Sequence, residues 1–172
     1  MPTKILPKPA KIFRTRRQEM NRLLDELYSH LFEGTNRAQS NKINTAILES
    51  VLDRSSNEHL KQRIMKTVPN VNEGQAEVIA RTEKHVLKTS LRMAAYKQED
   101  PRGQHKYKWI GPTDSRTTPV CKNIVRRTQK GVTMEELEEI IREEANRFDP
   151  NFEVRGYTPH YNCRHQPIRV FY

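Results

Sequence analysis

The sequence predicts an α+β fold: a helical N-terminal part with a basic arm, then a small C-terminal module with a few short β-strands. Three observations carry this. Apolar residues recur at three- and four-residue steps from about residue 15 to residue 97, the mark of amphipathic helices. Beyond Pro101-Arg102-Gly103, which reads as a hinge, the character changes, and eight of the twelve aromatic residues lie there. Two stretches in that region, KYKWIG and the terminal IRVFY, read as strands, and short strands supported by helices define the α+β class.

Residues 1–14 form the basic arm. Pro2, Pro7 and Pro9 stand among lysines, a composition that resists both helix and sheet. Residues 15–70 form a helical segment. Its first helix starts at Thr15, carries Leu23, Leu24, Leu27, Tyr28, Leu31 and Phe32, and closes at Gly34. A second carries Ile43, Ile47, Val51 and Leu52. A third carries Leu60 and Ile64 and ends before Pro69, because the residue preceding a proline is pushed out of the helical region.

Residues 71–172 form the C-terminal module. It opens with a helix from about Asn72 to Lys97 whose stripe reads Ala76, Ile79, Glu83, Val86, Ser90 and Ala94. A carboxylate on this small and apolar face requires a partner, unless the helix is rotated so that Glu83 is solvated beside Arg81. KYKWIG places Tyr107 and Trp109 on one face of a strand. Thr133 and Glu136 form a capping box that opens the acidic helix MEELEEIIREEANRF, which buries Leu137, Ile140 and Ile141.

The chain is polar, with 34% hydrophobic residues and a mean hydropathy of -0.91, so its helices are expected to use a partner to cover part of their apolar faces. Its net charge of +10 is uneven. Lys4, Lys8, Lys11, Arg14, Arg16 and Arg17 give the first 17 residues six positive charges and no acid. Such a field suits a polyanion or an acidic protein surface. No apolar run reaches membrane-spanning length and no apolar export region follows the start, so no membrane partner and synthesis in the host cytoplasm are expected. Two cysteines are too few for a disulfide-stapled scaffold, and six separated glycines offer no phosphate-binding loop.

The stretch TPHYNCRHQP sets His160, Cys163 and His165 within six positions. Thiolate and imidazole at this spacing suit zinc; a nucleophile with its base and a structural stitch are the other readings.

Three blocks, IARTE at 79–83, WIGPTDSRTTPVC at 109–121 and YNCRHQP at 161–167, resemble in order and approximate spacing the Mu F-like minor head proteins of tailed phages and proviruses, the head morphogenesis family. The likeness covers roughly residues 72–170. It implies a minor structural protein of the virion head, in the head interior or at the portal. The partners implied are the portal protein and other head proteins, and the role is head assembly, DNA packaging or ejection. No catalytic activity comes with the module. Some relatives carry enzymatic or toxin domains after it, but only seven residues follow His165 here and none is expected. Sequence-independent DNA contact through the basic residues fits the same role.

Many relatives have a cysteine where Thr118 stands and another where His165 stands. The remaining set of Cys121, His160, Cys163 and His165 offers a two-cysteine, two-histidine zinc site; plain packing and a Cys121–Cys163 disulfide stay open beside it. The resemblance further suggests that IARTE packs against the second block, with Glu83 paired to Arg116; in that block Asp114 or Thr113 reads either as the cap of the helix presenting Cys121 or as a surface residue. Two competing classes are a small metal-dependent nuclease or toxin using His160 and His165, and a zinc-dependent DNA-binding protein.

Overall fold

The computed structural model describes residues 37–68 and 70–171. The basic arm, the basic residues Lys4, Lys8, Lys11, Arg14, Arg16 and Arg17, and the helix expected from Thr15 to Gly34 lie outside the described residues. Within them the chain forms α1 (Arg37–Leu52), α2 (Asn57–Thr67), α3 (Glu73–Glu99), β1 (Lys106–Ile110), α4 (Pro119–Arg127), α5 (Met134–Phe148) and β2 (Gln166–Val170). The fold is α+β, as the segregation of helical and strand patterns along the sequence predicts. No described helix is long and apolar enough to cross a membrane.

Local chemistry sets the helix starts. Ser56 caps α2 by accepting the His59 N–H. Asn72 and Gln75 form a reciprocal capping box at the start of α3, and Thr133 and Glu136 form the expected one at the start of α5. These side chains satisfy amide groups that the first turn of a helix leaves without partners.

At 27 residues, α3 is about 40 Å long, and it contributes to two cores. In the first, α1 and α2 pack Ile43, Ala46, Ile47, Leu60 and Ile64 against Ala76, Ala80 and Leu87 of α3. In the second, Met93 of α3 meets Tyr107 and Trp109 of β1, Val120, Cys121 and Ile124 of α4, Leu137, Ile140 and Ile141 of α5, and Cys163. Contact on two sides explains why α3 buries more than the expected stripe. Ala76, Glu83, Val86 and Ser90 are buried as expected and Ile79 and Ala94 half-buried, while Ala80, Thr82, Leu87, Thr89 and Met93 are buried as well.

β1 and β2 pair antiparallel, with Ile110 opposite Gln166 and Lys106 opposite Val170. This register starts the second strand two residues before IRVFY and leaves Phe171 beyond it, 79% exposed. Tyr107 and Trp109 both point into the core, as the alternation in KYKWIG predicts. Between α3 and β1 the chain turns tightly, and the Asp100 carboxylate accepts the N–H groups of Gln104 and His105 at 2.9 and 2.6 Å.

Candidate functional site

The site is built where the segment after α5 meets α4 and packs on α3. Thr118 caps α4 with its hydroxyl on the Cys121 N–H, and Pro119 follows in the first turn, where a missing N–H costs nothing. Cys121 is thereby fixed in the first turn, facing the core. The cap is therefore Thr118, and neither Thr113 nor Asp114 has that role. The Asp114 carboxylate instead accepts the Arg116 N–H within its own turn and takes Arg164 on both oxygens, at 2.8 and 2.5 Å. The Arg164 hydrogen bonds hold the Asp114 carboxyl well below its ordinary value of 3.8, and the Arg116 N–H lowers it further.

The segment 155–165 folds back onto α3. Gly156 adopts φ +53° and lies so close to the helix that a Cβ there would come within 2.1 Å of Ser90 Oγ and 2.8 Å of the Val86 carbonyl oxygen. One turn along, Arg155 grips Glu83 with two nitrogens at 3.0 and 2.6 Å. The Glu83 side chain is buried, at 3% exposure, and that of Arg155 is mostly covered, at 12%. This corrects the expected Glu83–Arg116 pair. Arg116 sits in the turn organised by Asp114, its side chain 77% exposed, whereas the close seat of Gly156 delivers the neighbouring guanidinium to Glu83. Farther on, the Asn162 N–H donates to Thr82 Oγ1 at 3.1 Å.

These fastenings bring three sulfur and nitrogen ligands together. Cys121 Sγ lies 3.7 Å from Cys163 Sγ and 3.1 Å from His160 Nε2, and the ligand atoms of all three residues fall within 4.8 Å of one another. His160 donates Nδ1–H to the Tyr161 carbonyl at 2.7 Å, which turns Nε2 toward Cys121 and the Thr118 hydroxyl, 3.0 Å away. Both cysteines are buried free thiols. Hydrogen bonds with Cys163 and with His160 lower Cys121 against the cost of burial. Cys163 is pushed up, by that same bond to Cys121 and by burial. Burial disfavours a charged His160, but its bonds to Cys121 and to the Tyr161 carbonyl raise it.

His165, the fourth expected ligand, stands outside this group. Its ring lies parallel to Trp109, with centroids 6.5 Å apart, and fills the slot left by Gly111, where a Cβ would come within 2.4 Å of the ring. Its backbone carbonyl serves the cluster instead, 3.7 Å from Cys163 Sγ. The sequence reading missed His85, two positions after Glu83 on α3. Burial lowers His85 to about 4, the His165 carbonyl hydrogen-bonds its ring, and its buried Nε2 has no hydrogen-bond partner. The signal was present, since a histidine two positions beyond IARTE on the same helix faces inward if its near neighbours do, but periodicity alone does not say what it meets.

Chemically, this arrangement suits capture of a thiophilic cation, or oxidation once the sulfurs approach to about 2.05 Å. With Cys121 only 1% exposed, its sulfur presents no open face to a macromolecular substrate. Fold and site together define a small α+β protein in which two Arg–carboxylate forks and a Cys/His cluster fasten a C-terminal segment to a long helix and its neighbours. No protein-family model, curated protein or solved structure matches the chain.

Proposed function

We propose that this chain is a minor structural protein of a tailed-virus or provirus head, held at the portal and acting in head assembly, DNA packaging or ejection. One observation supports it above the rest: the three blocks that resemble the head morphogenesis family meet in a single unit. Thr82 of IARTE receives the Asn162 N–H of YNCRHQP. Asp114 of the middle block takes Arg164, and Cys121 meets Cys163. Residues separated by 42 to 80 positions thus act as one fastening, as expected of a module whose work is to hold a shape. The basic N-terminal residues favour contact with packaged DNA or an acidic partner surface, without base reading.

The test is to tag the chain in its native replicon, separate particles on a density gradient, and quantify it by mass spectrometry beside the portal protein. Co-migration with heads at a few copies per particle is the expected result. Absence from every particle fraction would sink the proposal, and hydrolysis of plasmid DNA by the purified chain, lost in His160→Ala, would put the nuclease in its place.

A further inference from the structure

Of the two histidines that the sequence reading placed in a metal site, His160 faces Cys121 and His165 stacks on Trp109, while His85, which it overlooked, shares the carbonyl that faces Cys163. We propose that Cys121, Cys163, His160 and His85 bind one zinc ion, a ligand set drawn from α4, the C-terminal segment and α3. The site stands on its own geometry and does not depend on the virion role.

Four observations carry it. First, the two sulfurs are 3.7 Å apart. Two thiolates held about 2.3 Å from a tetrahedral zinc are separated by about 3.8 Å, so the pair already has that edge length. Second, His160 has the arrangement of a zinc-bound imidazole: Nδ1–H is spent on the Tyr161 carbonyl, and Nε2 faces the sulfurs. Third, the His165 carbonyl links His85 to the cluster: it lies 3.7 Å from Cys163 Sγ and accepts a hydrogen bond from the His85 ring, and although His85 stands outside the three residues whose ligand atoms fall within 4.8 Å of one another, a short inward shift of its ring would complete the site. That bond leaves Nε2 as the ligand end, as at His160. Fourth, His85 Nε2, like His165 Nε2 against Trp109, is buried with no hydrogen-bond partner, and a buried polar atom without one is costly; of the two, only His85 shares its other bond with the carbonyl that faces Cys163. A metal–nitrogen bond would satisfy it.

Zinc fits this donor set better than the alternatives. Two thiolates and two imidazoles make a closed tetrahedral site, whereas magnesium or calcium requires oxygen ligands. A closed site joining three separate elements is structural in character, since no position is left for a water or a substrate. It would tie the C-terminal segment to both α3 and α4 at one point.

The test uses the full chain, purified without chelator under reducing conditions. Zinc per chain is measured by mass spectrometry of the metal. The metal-free wild-type protein is then titrated with Co(II), which reports thiolate ligation by charge-transfer bands and tetrahedral geometry by d–d bands. The expected result is one zinc per chain and both sets of bands. Cys121→Ser and Cys163→Ser should each weaken zinc binding by more than the roughly 10- to 100-fold typical of losing a supporting hydrogen bond around a metal. His85→Gln should alter the d–d bands, while His165→Gln should leave them in place. The wild-type measurements need no variant to fold. A wild-type chain that retains no zinc and gives no charge-transfer band overturns the proposal, as does zinc binding that survives the double serine variant. An unchanged Co(II) spectrum in His85→Gln overturns the four-ligand assignment.

Discussion

Glu83 is a buried carboxylate on a helix whose neighbours are small or apolar, and two Arg155 nitrogens hold it. Arg155→Ala leaves that charge without this partner, at an expected cost of about 3–5 kcal/mol, the usual scale for breaking a buried ion pair. Arg116→Ala, in a side chain 77% exposed, should stay within about 0.5 kcal/mol. Urea unfolding of the two variants beside wild type measures the contrast, and equal midpoints would refute the assignment. That Glu83 needs a partner was legible, because a charge set into an apolar stripe is too costly to bury alone. Which arginine supplies it was not: the two residues are 72 positions apart, and the choice depends on how closely Gly156 can approach α3. His165 failed as an expected ligand for a similar reason. Its chemistry is that of a ligand, but the slot beside Trp109 left by Gly111 decides where the ring goes.

Helices α2, α3 and α5 were legible because their signals are local: a stripe at helical spacing, a cap residue at the start, a proline beyond the end. The short α4 carries the same kind of signal in Thr118-Pro119, and Thr118 is the cap worth testing because it also reaches His160. Thr118→Ala should cost about 1 kcal/mol, and Thr118→Ser should recover most of it. In thermal melts of a chain this size, that loss is a fall of about 2–4 °C. Between α4 and α5, Glu144 is buried and receives Asn123, Arg127 and Arg147 at 3.0 to 3.2 Å. Burial alone would raise its carboxyl. Asn123 and the two arginines outweigh it and hold the group below its ordinary 4.5. A depressed folded value means that the stabilisation is complete above pH 4.5 and is lost as the pH falls through the folded value. In urea midpoints taken from pH 6 down to pH 3, wild type should converge on Glu144→Gln. A gap that stays constant with pH would show that the Glu144 charge contributes nothing.

At the scale of the whole molecule, α3 is the shared member of two cores, and charge adds a feature that neither core shows. The described elements explain how the module holds its shape through Glu83–Arg155, Asp114–Arg164 and the Cys/His cluster. None of these needs a net charge of +10. Six of those charges come from Lys4, Lys8, Lys11, Arg14, Arg16 and Arg17, with no acid among the first 17 residues, so deleting residues 1–17 leaves 10 − 6 = +4. If the chain meets packaged DNA through this segment, each phosphate contact releases counterions, and log affinity falls with log salt by about 0.9 per contact. Deletion should then weaken binding to duplex DNA at low salt and make the salt slope shallower by up to about 5, the value for all six contacts. The effect should be the same on AT-rich and GC-rich duplexes, because phosphate contacts carry no sequence information. Fluorescence anisotropy across a salt series measures both quantities. An unchanged slope would refute contact with DNA through the basic segment.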